Sequence, residues 1–331
     1  MTVRRTIPSR ARSLVGAWCF LDHYGPDDVA ATGGMAVPRH PHTALATVSW
    51  LFTGEVEHRD STGVHAIVRP GELNLMTAGR GVSHSEFSTP DTSVLHGVQL
   101  WFALRERDRD SAPSFVHHVP EPMYVPGGVI RVFLGRLLDV ESPVVTPTDL
   151  LGAELLLDAD AETVLDLPEG HEHAVLLDDG DVTLDGTALE PAEVGYLAPG
   201  RRRVTLRSAT GARLLVIGGE PLGEQIVMWW NFVGRSHDDV VAARERWMRE
   251  IGEGVPEGTA TATRESMSGV TVAASTWPSP ESRSRASAAR NTRSSCSPPA
   301  TRWAASTPPT DSISTRGNPL SAAAVARSAR T

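Results

Sequence analysis

Lysine is absent from this 331-residue chain, and all 31 basic side chains are arginine. The bias is one of coding, of the kind a GC-rich bacterial genome imposes, and it carries no mechanism. Cysteine is nearly absent too. Cys19 and Cys296 lie far apart, so no disulfide framework is implied and a reducing cytoplasm is the expected compartment. No apolar run reaches the ~18 residues of a membrane span. The basic start, MTVRRTIPSRARSLVGAW, has no apolar stretch behind Arg4 and Arg5, so no export signal is expected. Neither G-x-S-x-G, nor a phosphate-binding P-loop, nor G-x-G-x-x-G occurs, which leaves α/β-hydrolase, NTPase and dinucleotide chemistry without a motif.

The net charge of −9 divides unevenly. Residues 1–256 hold 22 arginines against 36 acidic side chains, a balance of −14; residues 257–331 hold 9 against 4, a balance of +5. An acidic body argues against a surface that tracks nucleic-acid phosphates.

Short runs of alternating polarity fill residues 1–256, broken by Gly, Pro and Asp: TVSWLFTGEVEHRDSTGVHAIVRPGELNLMTAGRG, VLHGVQLWFAL, GVIRVFLGRL. Period-2 runs separated by turn signals predict antiparallel strands, and the lack of intervening helices favours a sandwich or barrel over a parallel sheet. The block from Glu154 repeats the pattern, with HEH, Asp179-Gly180 and LAPGRR standing where HPH, Thr53-Gly54 and TAGRG stand earlier, which suggests an internal duplication. DDVVAARERWMREIG has helical spacing, with Val240, Val241, Ala243 and Trp247 able to share a face. From residue 257 onward Ser, Ala, Arg, Thr and Pro dominate, a composition that cannot offset the entropy of ordering; a disordered or frameshifted tail is expected.

The chemistry-bearing residues come in two pairs. His40 and His42 enter one predicted strand, and His84 and Glu86 lie on another. Residues two apart on a strand point to the same face, so H-x-H and H-x-E can present three imidazoles and a carboxylate to one point. Such a set suits a divalent first-row metal, with Fe, Mn, Co, Ni, Cu and Zn all open on ligand type alone. His171 and His173 form a similar pair, but Arg201 to Arg203 stand where a partner histidine would be needed, and an arginine cannot ligate. His58 reads equally as a donor behind the ligands or as an exposed turn residue. His117 and His118 read as surface residues, and Trp229 and Trp230 as packing between barrels.

VGAWCFLDHYGP, HPH, TGEVEHRDSTG, PGELNLMTAGRGVSHSE, LHGVQLW, SPVVTP and GGEPLGE…WWNFV occur in the order, and over the extent, in which they occur in pirins. The chain resembles the pirin family of bicupins from about residue 4 to about residue 250. The resemblance implies an all-β protein of two cupin barrels: an N-terminal metal-binding domain over residues 1–125 and a C-terminal domain without metal over 126–235. A helix over 236–256 and the tail over 257–331 would follow. It further implies iron, as Fe(II), held by His40, His42, His84 and Glu86.

One departure bears on that set. Cupins generally carry another ligand carboxylate after HPH, where this chain has TALAT, so Glu86 would be the sole carboxylate ligand.

The activity implied is that of a quercetin 2,3-dioxygenase: O₂-dependent ring cleavage of a flavonol-like small molecule with release of carbon monoxide, Glu86 acting as both ligand and general base. The alternative that the family carries is a redox-sensing regulator whose metal alters a surface for a protein partner. Neither nucleic acid nor membrane is an expected partner.

Overall fold

The computed structural model describes residues 1–254 and 324–326. Except for those last three, the tail expected to be disordered lies outside the described residues.

The first half of the chain forms β1 (Val3–Ile7), β2 (Trp18–Asp28), the single turn α1 (Val29–Thr32), β3 (Ala36–His42), β4 (Leu45–Thr53) and β5 (Val56–Asp60). It continues through β6 (His65–Val68), β7 (Leu73–Thr77), β8 (Val82–Ser88), β9 (Val94–Ala103) and β10 (Ser114–His118). These make a six-stranded sheet in the order β1-β2-β9-β4-β7-β10 and a four-stranded sheet in the order β3-β8-β5-β6. Tyr24, Leu51 and Leu95 of the first sheet pack on Val56 and Val68 of the second, closing one sandwich.

The second half repeats the plan. Its strands are β11 (Met123–Val125), β12 (Gly128–Leu134), β13 (Arg136–Leu137), β14 (Val140–Glu141), β15 (Leu150–Leu157) and β16 (Ala161–Asp166). They continue as β17 (Glu172–Gly180), β18 (Val182–Leu184), β19 (Thr187–Leu189), β20 (Val194–Leu197), β21 (Arg203–Ser208) and β22 (Ala212–Gly219). One sheet runs β11-β12-β15-β22-β17-β20, with β25 (Ala324–Ala326) beside β20; the other runs β16-β21-β18-β19. The ladders are antiparallel throughout, as the period-2 runs predict.

Where each strand lies explains its composition. Outer strand β16 alternates buried and exposed residues without a break. Strands β4 and β9 do not: β4 is buried from Leu45 to Phe52, and β9 is buried over most of its length. Both faces of these strands are covered, one by their own sandwich and the other by the opposite domain, which favours near-continuous apolar runs. The shared core joins Trp18, Trp50 and Phe102 of the first half to Phe133, Leu215 and Ile217 of the second. Trp50 stacks on Phe133 at 4.5 Å, and Trp18 Nε1 donates to Leu151 O at 3.2 Å and to Gly218 O at 3.0 Å. Burying side chains of this size stabilises by roughly 1.5–3 kcal/mol each.

A hairpin of β23 (Val227–Trp229) and β24 (Phe232–Gly234) leads into α2 (His237–Gly254). Helix and hairpin depart from expectation in two places. Val240, Ala243 and Trp247 pack on Phe232, but Val241 is half exposed, because a step of one residue turns it about 100° off that face. Trp229 and Trp230 do not fill the inter-barrel space. Trp230 packs on the helix–hairpin cluster, and Trp229 is 46 % exposed at the end of β23.

Candidate metal centre

Strand β3 contains two prolines, Pro38 and Pro41, which a central strand cannot accommodate without losing ladder hydrogen bonds; β3 is an edge strand. Its pairing with β8 shifts between Val37 and His40, after which His40 faces His84 directly and His42 faces Val82. On the other side of β8, His58 of β5 pairs with Glu86 and Asp60 with His84. Three adjacent strands thus bring His40, His42, His84, Glu86 and His58 together.

The loop before β8 fixes this arrangement. Gly79 has φ +51°, and a Cβ there would lie 2.1 Å from Ser111 O, so no larger residue fits. Its carbonyl accepts from Ala44 N at 2.8 Å, tying TAGRG to the end of HPH. The C-terminal hairpin adds a second tie: Val233 N donates to Thr43 O at 3.2 Å.

His40, His42 and His84 each offer a ring nitrogen within 4.8 Å of the others; a second set, sharing His84, joins ring nitrogens of His58 and His84 to a Glu86 carboxylate oxygen within the same distance. His42 Nε2 lies 3.0 Å from His84 Nε2. His40 Nδ1 donates to Pro38 O at 2.8 Å, which leaves its Nε2 with a free lone pair. Glu86 Oε1 accepts from Ser49 Oγ at 3.1 Å, and that hydroxyl lies 3.0 Å from Gln99 Oε1. His42, His84, Glu86 and His58 are buried; His40 is partly open to solvent. Trp101 meets the His42 ring edge to face at 4.9 Å.

Burial dominates the electrostatics. It pushes His40 down to about 4 and His42 and His84 well below the ordinary histidine range, with repulsion among the rings adding to the effect. The imidazoles are therefore neutral near pH 7, the form a metal requires. Burial also raises the Glu86 carboxyl to about 7, against the Ser49 hydrogen bond. Neutral rings with lone pairs converging on one point, beside a desolvated carboxyl, form a donor set that fits a divalent cation.

His58 is not an exposed turn residue. It is 3 % exposed, its Nδ1 lies 3.3 Å from His84 Nδ1, and its Nε2 lies 3.5 Å from Asp60 Oδ2. HRDS looks like a hairpin end because Thr62 and Gly63 follow, but β5 runs to Asp60. His171 and His173 stand with ring centroids 6.1 Å apart; Asp149 Oδ2 lies 3.6 Å from His171 Nε2, but among the described residues no three donors within 4.8 Å of one another include either histidine. His117 is half exposed and hydrogen-bonds Asn74.

Two tandem antiparallel sandwiches, the first with a histidine-rich centre inside it, define the class as a bicupin. Residues 1–102 match the family model described as Pirin, and residues 152–251 match the one described as Pirin C-terminal cupin domain. A Pseudomonas aeruginosa protein named "Putative quercetin 2,3-dioxygenase" is 42 % identical over 248 residues, covering 75 % of this chain and 79 % of its own. A pirin-like protein of Caulobacter vibrioides is 35 % identical over 258 residues, covering 74 % and 87 %. The crystal structure of a quercetin 2,3-dioxygenase from Acinetobacter baumannii superposes with a TM-score of 0.73 at 36 % identity, over 77 % of this chain and 87 % of that one. The chain belongs to the pirin family.

Proposed function

We propose that this pirin is a metal-dependent dioxygenase that opens the ring of a flavonol-like substrate with O₂ and releases carbon monoxide. The observation that supports the reading is that His40, His42 and His84 cluster within 4.8 Å, their imidazoles held neutral by burial, and that His84 also belongs to a second such cluster with Glu86 and His58. The names of the Pseudomonas and Acinetobacter relatives support the substrate class. His40, His42 and His84 would bind through nitrogen and Glu86 through one oxygen, and Fe(II) is the ion expected. A divalent ion bound there supplies Lewis acidity toward an enol hydroxyl and a path for electrons to O₂.

The chain's own residues do the rest. Glu86 is the only carboxylate in the proposed donor set and would act as the general base that takes the proton of an incoming 3-hydroxyl. Ser49 keeps Oε1 in place while Oε2 remains free for that transfer. Buried Trp101, edge to face on His42, limits the access of water to the centre.

The test is direct. Iron-loaded protein prepared without oxygen is mixed with quercetin and then with O₂, while the flavonol band and carbon monoxide are followed together. Loss of the band with matching carbon monoxide is expected. No turnover with Fe, Mn, Co or Ni overturns the enzymatic reading and leaves the family's alternative, an iron-dependent redox-sensing regulator of a protein partner.

A further inference from the structure

A second convergence of donors lies away from this centre, where the two halves of the chain meet. His23 of β2, His96 of β9 and Asp178 of β17 are all buried, at 2 %, 7 % and 7 % exposure. His23 Nε2 and His96 Nε2 each lie 2.7 Å from Asp178 Oδ1 and 3.3 Å from each other.

If both Nε2 atoms carry hydrogen, both donate to the single oxygen Oδ1, which crowds two donors 3.3 Å apart onto one acceptor. If only one does, the other imidazole sets a lone pair against a carboxylate lone pair at 2.7 Å. A single cation at the centre satisfies all three edges at once. Donors bonded at ~2.1 Å to a first-row ion stand about 3 Å from one another, the separation found here.

The backbone aims these side chains on purpose. The β17–β22 ladder slips between Leu177 and Asp179, so Asp178 is the bulged residue. The β4–β9 ladder slips between Leu51 and Thr53, the partner of His96, and the β2–β9 ladder slips between Tyr24 and Asp27. A bulge redirects the side chain that it carries or adjoins. Arg213 Nη1 lies 3.3 Å from Asp178 Oδ2, which orients the carboxylate and leaves Oδ1 as the donor. Glu154 offsets the guanidinium from its other side, and Phe52 packs edge-on against both imidazoles.

We propose that His23, His96 and Asp178 form a second metal site, in which a divalent first-row cation clamps β2 and β9 of the first barrel to β17 of the second. The ligands are two imidazole nitrogens and one carboxylate oxygen, drawn from segments that are 155 residues apart at their extremes. The site is independent of the centre at His40, His42, His84 and Glu86.

The full-length chain, stripped of metal with a chelator, is titrated with Co(II) and followed by visible absorption and by thermal melting. Two equivalents per chain are expected. His96→Gln and Asp178→Asn should each leave one and lose the part of the melting shift that a His42→Ala/His84→Ala double variant retains. Should Asp178→Asn fail to fold, His96→Gln, which keeps a polar side chain, carries the comparison. One equivalent that the double variant abolishes overturns the proposal, as do two equivalents that persist in His96→Gln. One equivalent lost in His96→Gln but kept in the double variant supports this site and counts against the other.

Discussion

His58 Nδ1 stands 3.3 Å from His84 Nδ1, and that contact decides which nitrogen of His84 is free. If His84 donates its Nδ1 hydrogen to His58, its Nε2 keeps a lone pair facing His42 Nε2 at 3.0 Å. His58 must then carry its own hydrogen on Nε2, the atom nearest Asp60. One chain of tautomers, Asp60 to His58 to His84, thus prepares a ligand. His58→Leu should lower metal affinity by about 10- to 100-fold while leaving the ligands themselves in place. Competition with a calibrated chelator reads the change, and His58→Gln, which can still accept from His84, should recover part of it. Equal affinity in wild type and His58→Leu would show that the contact does not orient the ligand.

In the proposed centre Glu86 would carry the whole carboxylate role, because TALAT offers none. Glu86→Gln keeps the shape and the Ser49 contact but removes the charge. The equivalent of metal bound at this centre should be lost, and flavonol turnover with it. Elemental analysis of the purified variant measures the first. His171→Ala, in the second barrel, should leave metal content unchanged, and an equal loss there would place a ligand in the wrong domain.

Legibility in the sequence followed distance along the chain. H-x-H and H-S-E are local spacings on single strands, so the four proposed ligands could be picked out without a fold. His58 could not, because Thr62 and Gly63 mimic a nearer turn and only the β5–β8 register turns its ring inward. The His23–His96–Asp178 cluster leaves no local trace at all: each member stands alone in its strand, and bulges bring them together. Strands β4 and β9 looked like ordinary half-buried strands in alternation, whereas contact with a second domain buries both of their faces. Trp229 and Trp230 were misplaced for a related reason, since an aromatic pair signals packing but does not name the surface it packs on.

Trp18 joins the domains through a single hydrogen atom shared between two carbonyls, Leu151 O and Gly218 O. Trp18→Phe retains most of the apolar ring but leaves both buried oxygens without this donor. The expected cost is about 1–3 kcal/mol in urea unfolding. An unchanged midpoint would mean that those carbonyls are satisfied by other donors.

Asp239 ties α2 to the rest of the molecule and gives its stability a pH dependence of known sign. Ser236 Oγ accepts from Asp239 N at 3.2 Å, and the Asp239 carboxylate accepts from Ser236 N at 2.9 Å, a reciprocal cap at the start of the helix. Arg109 adds two contacts at 3.1 Å. The Arg109 hydrogen bonds above all, followed by that from Arg235 N, hold the carboxyl well below the usual aspartate range. A carboxyl depressed in the folded state stabilises the fold above its unfolded value of about 3.9 and loses that contribution as the pH falls through the folded one. Asp239→Ala should therefore cost about 1 kcal/mol near neutrality, the size of a lost cap. The gap between variant and wild type should narrow steadily below about pH 4. Urea midpoints measured across that range decide the matter: a gap that is constant or widens in acid would mean that the cap acts through shape and not through its charge.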